Sequence, residues 1–340
     1  MVTKYERPRR NYRGEVYFTM VDTKAREVAS DKAAPIPDRF RDAPWRDTWE
    51  RRECVSQDGT RIAYFVLGRG KRTILLANGL GGRLYAWGPL LDHFWEDYRL
   101  ITWDYRGLFE SDTPDVPRRL AVTHHVEDAV AILEAEGEDR VTLCGWSMGV
   151  QVSLDVAATH RDRVAGLVLL NGTYGHAMSS GLQPLFAVPA LPKRLHALAE
   201  FARKRPGLSR FFETFARVTE VPTAAMFLPT AGHRAFGLRP MLARYREDVL
   251  GESFENFMRL FQELDAHSVY HLLPEIDAPA LVISGAFDML TPARQSREIA
   301  RRMPHAKRVA LIRSSHFSLL ERPEVVLPAI EKFLTRQARW

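Results

Sequence analysis

From about residue 53 the apolar positions fall into short continuous runs, separated by turn residues and by stretches with helical spacing. Arg61–Leu67 reads as a strand after the Asp58-Gly59 turn, and residues 73–77 as another, ending in Asn78-Gly79-Leu80-Gly81-Gly82. Residues 100–103, 141–144, 166–170, 280–283 and 309–312 are further apolar runs rich in strand-forming side chains. Between them, residues 124–136 carry apolar groups at helical spacing (Val126, Ala129, Val130, Ile132, Leu133), and residues 150–159, 291–303 and 325–336 also read as helices. Strands without polar alternation are buried on both faces. Their alternation with helices predicts an α/β fold with a mostly parallel sheet between helical layers.

Two stretches break this rhythm. Residues 1–52 are rich in Arg, Asp and Pro, with a single strand-like run at 15–21, and are expected to form an extension outside the domain. Residues 173–274 show helical periodicity and no convincing strand, with Leu185, Phe186, Leu195, Phe201, Phe211, Phe212, Phe215, Met226, Phe227, Phe257, Met258 and Phe261 as large apolar groups. An insertion of this length between two strands of one sheet predicts a helical cap, leaving 53–172 and 275–340 as the core.

Composition narrows the class. At 340 residues, with 46% hydrophobic and 26% charged, the chain is an ordinary globular one, and no apolar run is long enough to span a membrane. The basic start lacks a following apolar stretch, so no secretory signal is read and the cytoplasm is the expected compartment. Two cysteines, Cys54 and Cys144, make neither a disulfide framework nor a four-cysteine zinc site. The formal net charge is +6, and residues 1–52 carry most of it, with 13 Lys and Arg against 9 Asp and Glu. These basic residues alternate with acids, so a nucleic-acid partner is not expected. The first twenty residues are a candidate subunit contact or contact to an acidic surface; membrane contact is otherwise not expected, and the oligomeric state stays open, a dimer included.

The most specific chemistry lies in Gly145-Trp146-Ser147-Met148-Gly149. A sharp strand-to-helix turn needs small residues two before and two after the serine, because side chains there collide with neighbouring backbone. Such a turn lifts the hydroxyl above the sheet and aims a helix N-terminus at the reacting atoms. A serine needs a base. His316, in Arg313-Ser-Ser-His316-Phe-Ser, follows the last apolar strand and is the only histidine so placed, with a surface-loop histidine as the alternative. The base needs an acid to fix its tautomer. Asp288, just after the strand at 280–283, is the candidate, although it could serve only as a cap before Thr291-Pro292. The other position for the acid, after the strand at 166–170, reads Asn171-Gly-Thr-Tyr-Gly-His176 and offers no carboxylate. Oxyanion donors are expected from the amides of Leu80 and Met148. The glycine-rich turn could instead cradle a phosphate, but neither the P-loop nor the dinucleotide spacing follows it.

The turn at 78–82, Asp104-Tyr-Arg106-Gly107, the Ser147 elbow, Asp288 and His316, in this order, resemble the α/β-hydrolase fold family over residue 53 to the C-terminus. The resemblance implies an eight-stranded, mostly parallel sheet with an inserted cap, and a nucleophile–acid–base set of Ser147, Asp288 and His316. Two departures stand out. Asn78 replaces the usual histidine of the oxyanion turn, and Phe109 stands where glycine is common after Asp-x-Arg-Gly. Serine as nucleophile points away from the aspartate-using dehalogenases and epoxide hydrolases of this fold. It points to an ester, thioester, lactone or amide hydrolase, or to the carbon–carbon bond hydrolases and perhydrolases with the same triad. A ligand receptor that has lost catalysis is a further alternative. The expected function is a carboxylesterase or lipase-like serine hydrolase for a small apolar acyl or aryl ester, with no cofactor and no metal. Asn78, Gly79, Phe109 and Trp146 are the expected substrate contacts.

Overall fold

The computed structural model describes residues 9–10, 16–17, 43–177, 201, 245, 248 and 254–340. Eight strands form one sheet: β1 (Glu50–Val55), β2 (Arg61–Leu67), β3 (Arg72–Ala77), β4 (Tyr98–Trp103), β5 (Val141–Trp146), β6 (Val164–Leu170), β7 (Ala280–Gly285) and β8 (Ala306–Leu311). Their spatial order is β8-β7-β6-β5-β3-β4-β2-β1. Every neighbouring pair from β8 to β4 is parallel; β4 with β2 and β2 with β1 are antiparallel. The order reverses between β3 and β5, so the carboxyl ends of these strands flank a crevice where an open α/β sheet takes its ligand.

The alternation of side chains sets the two layers. Leu75, Ala77, Ile101, Trp103, Leu143, Leu167 and Val282 face one cluster, which α2 (Val122–Ala135), α3 (Met148–Thr159) and α5 (Ala293–Arg302) complete through Val126, Ile132, Val152, Leu154 and Ile299. Ile74, Leu76, Leu100, Cys144, Val168, Leu281 and Ile283 face the other, covered by α1 (Gly88–Phe94), α6 (Ser318–Glu321) and α7 (Pro323–Arg336) through Leu90, Phe94, Leu319, Val326, Ile330 and Phe333. Neighbours one residue apart, such as Leu75 and Leu76, thus enter opposite cores, as the period of a strand requires.

The packed domain begins earlier than residue 53. Trp45 is fully buried and its indole N–H donates to Asp92 Oδ1 at 2.8 Å, while Trp49 stacks on Phe65 with ring centroids 4.8 Å apart. Strand β1 itself straddles the expected boundary. It has a charged face because it is an edge strand whose charges pair sideways: Arg51 with Glu110 at 2.5 Å and Arg52 with Glu136 at 2.7 Å. Such pairing hides a strand in a sequence that reads as polar. Nearer the terminus, Val16–Tyr17, within the strand-like run, pairs antiparallel with Arg9–Arg10.

Of the expected cap, α4 (Phe254–Ala266) is helical and Gly175 bridges to Ser268. Phe257 and Phe261 on α4 pack partly buried against the first cluster. Phe201 is helical and exposed. Leu185, Phe186, Leu195, Phe211, Phe212, Phe215, Met226 and Phe227 lie outside the described residues. Among the described residues no helix is long and apolar enough to cross a membrane.

Candidate active site

Ser147 sits between β5 and α3 with φ +56° and ψ −114°, a conformation that L-residues rarely adopt. The flanking glycines are required by contact. A Cβ on Gly145 would lie 2.3 Å from the Gly149 carbonyl oxygen, and one on Gly149 would lie 1.9 Å from that of Ala77. This second approach packs the first turn of α3 against the chain that leads into the 78–82 turn. The Ser147 amide donates to the Leu170 carbonyl at 3.1 Å, which ties the elbow to the end of β6.

The loops after β7 and β8 bring Asp288 and His316 to the same sheet edge, although 28 residues separate them. His316 Nδ1 lies 3.1 and 3.0 Å from the two oxygens of the buried Asp288 carboxylate. That carboxylate also accepts from the Leu290 amide (3.0 Å), the Thr291 amide (2.8 Å), the Thr291 hydroxyl (2.8 Å) and Asn171 Nδ2 (2.9 Å). The carboxylate thus orders the turn at residues 290–291 and holds the imidazole, while the helix that begins at Ala293 has Pro292 at its N-cap and no side-chain cap. The His316 loop is secured by Glu321, whose buried carboxylate accepts from the Ser314 hydroxyl and the Ser315 amide at 2.7 and 2.6 Å, and from the Ser315 hydroxyl. The His316 carbonyl accepts from the Trp146 indole at 3.0 Å, so the base loop is pinned beside the residue that precedes Ser147. Among the described residues no hydrogen bond joins Ser147 to His316, whose side-chain partners are Asp288 and Thr291.

Leu80 lies in the turn after β3 and Met148 opens α3, and among the described residues neither amide donates to a protein acceptor. The carbonyl of Leu80 accepts from the Tyr245 hydroxyl at 2.6 Å. Burial raises the Tyr245 phenol above its ordinary value, so it stays a donor.

Three expected substrate contacts are turned to other work. Asn78 is buried: its Nδ2 donates to the Trp103 carbonyl at 2.6 Å, and its Oδ1 accepts from the Trp87 indole at 2.6 Å. The Tyr105 hydroxyl donates to its backbone oxygen at 2.6 Å. With its amide engaged inside the protein, Asn78 supports the turn from behind. Gly79 exists to admit Trp146, since a Cβ there would lie 2.7 Å from the indole ring. Trp146 belongs to the α1–α7 core cluster and packs on Phe317 at 5.4 Å between ring centroids. Phe109 is half-buried, with the Arg83 guanidinium 4.6 Å above its ring. Its φ of +54° explains why glycine suits that position.

Arg83 also enters a charged set that sequence patterning does not reveal. Buried Asp104 accepts from Arg83 Nε and Nη2 at 3.2 and 3.0 Å and from the Glu110 amide at 3.3 Å. Burial outweighs these partners and pushes its carboxyl up to about 6. Arg106 is fully buried and satisfied by Asp128 (2.8 and 2.5 Å), Asp58 (2.9 Å), Ser56 (3.1 Å) and the Arg119 carbonyl (2.9 Å). Among the described residues no group of three or more His, Cys, Asp or Glu side chains is placed to hold a metal ion.

Residues 72–323 match the family described as alpha/beta hydrolase fold. The chain belongs to that family. It is 25% identical over 273 residues to the provisionally named carbamate hydrolase RutD of Caulobacter segnis, covering 78% of this chain and 92% of that protein. Among solved structures it resembles the enol-lactonase of Burkholderia xenovorans LB400 (TM-score 0.67, 24% identity, 84% of this chain and 100% of that one). It also resembles an esterase of Rhodococcus sp. ECU1013 (TM-score 0.63, 26% identity, 85% and 99%). The fold expected of this family, an eight-stranded mostly parallel sheet with flanking helices, is the one found, and the family is one of hydrolases.

Proposed function

We propose that this hydrolase cleaves carboxylic esters of apolar acyl or aryl substrates through an acyl-enzyme on Ser147, as a carboxylesterase. The observation that carries the reading is the Ser147 elbow beside a histidine whose Nδ1 is held by a buried carboxylate at 3.0 Å. In this mechanism Ser147 Oγ attacks the ester carbonyl while His316 Nε2 takes its proton. Asp288 holds the Nδ1–H and stabilises the imidazolium. The amides of Leu80 and Met148 receive the oxyanion, and the positive end of α3 adds to them. Collapse of the tetrahedral intermediate breaks the bond to the alcohol oxygen, which leaves with the proton from His316. Water then gives a proton to His316 and attacks the acyl carbon, releasing the acid and restoring Ser147. The Ser147–His316 hydrogen bond closes when substrate fills the site, as such bonds tighten on binding.

The Phe-rich sequence of the cap supports an apolar acyl or aryl group. A second reading, lactone or carbamate hydrolysis on the same residues, is favoured by the names of the relatives. Hydrolysis of p-nitrophenyl esters from acetyl to palmitoyl, beside a lactone and a carbamate, tests both. Turnover of the esters by the parent and about 10⁶-fold less by Ser147→Ala supports the proposal. Retention of most turnover by Ser147→Ala overturns it, and turnover confined to the lactone or carbamate selects the second reading.

A further inference from the structure

Asn171 follows β6, at the position where this architecture could carry its acid, and it holds an amide in place of a carboxylate. The residue is fully buried with φ +47°, a left-handed conformation that Asn tolerates better than most side chains. Its contacts reach every segment behind His316. Nδ2 donates to Asp288 Oδ2 at 2.9 Å and to the Ser315 carbonyl, one residue before His316, at 2.9 Å. Oδ1 accepts from the Ser318 hydroxyl, two residues after His316. Its backbone oxygen lies 2.7 Å from the Thr291 hydroxyl, whose one hydrogen it shares with Asp288, and its amide donates to the Ile283 carbonyl at 2.9 Å. One side chain therefore braces the acid, and the base loop on both sides of the histidine.

We propose that Asn171 is the positioning residue for the Asp288–His316 pair, acting as a neutral donor that fixes the carboxylate's rotation and the imidazole's height above the sheet. The inference rests on the reading of His316 as the base. Two features set Asn171 apart from an ordinary core amide. Each of its two amide hydrogens has a separate acceptor, so both are committed. The other is that one of these acceptors is the carboxylate that holds His316. A carboxyl group at this position could replace the amide only while it kept a proton. Once ionised it would face Asp288 as a like charge at hydrogen-bonding distance, and it would lose the donor to Ser315 as well. Leucine, of similar size, would keep the packing and remove all three side-chain bonds.

The test compares the parent with Asn171→Leu and Asn171→Asp. Hydrolysis of a p-nitrophenyl ester is measured across pH, together with thermal unfolding and the NMR signal of the His316 Nδ1–H. Asn171→Leu is expected to stay folded, with kcat reduced at least about tenfold, KM within about twofold of the parent, and a weakened Nδ1–H signal. Asn171→Asp is expected to add a descending limb to the pH profile, above which both activity and the Nδ1–H signal fall, while the parent shows none there. Folded variants whose kcat, profile and signal superimpose on the parent's overturn the proposal, as does an activity loss that only tracks the folded fraction. The Nδ1–H signal does not depend on turnover. If Ser147→Ala kept its activity, that would defeat the acyl-enzyme reading, and the signal would still decide whether Asn171 orders the pair.

Discussion

Asp104→Asn isolates the cost of a buried charge beneath the proposed site. In the parent the carboxyl is pushed up to about 6 from an ordinary value of 3.8, and desolvation is the leading cause. A folded-state value above the unfolded one means that the native protein binds this proton more tightly. As pH rises, the group therefore withdraws stability, starting near its unfolded value and levelling off above its folded one. The full swing is about 3 kcal/mol, most of which falls between about pH 4 and about pH 7.5. Asparagine does not titrate. The stability of Asp104→Asn relative to the parent should thus rise by most of that swing across the interval. The variant turns an amide N–H or an oxygen toward Arg83 Nε, which shifts the two curves by a constant and leaves the slope untouched. Urea unfolding of both proteins at four pH values measures the difference, and all other titrating groups largely cancel. A difference that stays flat, or that falls as pH rises, refutes the assignment of Asp104 as a charge held against its solvation.

Arg106→Met should cost about 3–5 kcal/mol in urea unfolding, because it strands the fully buried Asp128 carboxylate, and adding Asp128→Leu should recover most of that loss. A single variant as stable as the parent would contradict this. Gly149→Ala should destabilise by about 3 kcal/mol or more, since the added methyl lies 1.9 Å from the Ala77 oxygen and backbone on both sides must shift. An unchanged melting temperature would show that the elbow is looser than these contacts imply.

The strands β2 to β7 and the order of Ser147, Asp288 and His316 were legible because each strand carries a continuous apolar run and each candidate side chain follows a strand; of the edge strand β8 only its second half read so, because Lys307 and Arg308 in its first half face outward. The elbow was legible for a steric reason that the 1.9 and 2.3 Å approaches make concrete. What escaped depends on partners distant in sequence. Strand β1 reads as polar because Arg51 and Arg52, besides Glu53 and Glu50 in the same strand, pair with carboxylates 59 and 84 residues away. Asn78 looked like a ligand contact because nothing local shows that Trp87 and Trp103 consume its amide. The place of Trp146 in the packing is hidden for the same reason, since its indole partner lies 170 residues on. Glu321 and Asn171 carry no motif at all. Their signal is spacing, an acid five residues after the histidine and an amide at the tip of a strand, and it becomes meaningful only once the loops meet. Phe109 marks the converse case: its departure from glycine was visible, and the reason, a positive φ, lay in the backbone.

The most direct test of the proposed chemistry is the covalent state of Ser147 during turnover. Rapid mixing with a p-nitrophenyl ester, followed by acid quench and intact-mass measurement, should show a burst of p-nitrophenol. It should also show a mass gain equal to one acyl group less one hydrogen, located by peptide mapping to Ser147 and absent in Ser147→Ala. Hydrolysis by the parent with the acyl group mapped to another residue, or at full rate in Ser147→Ala, would contradict the account.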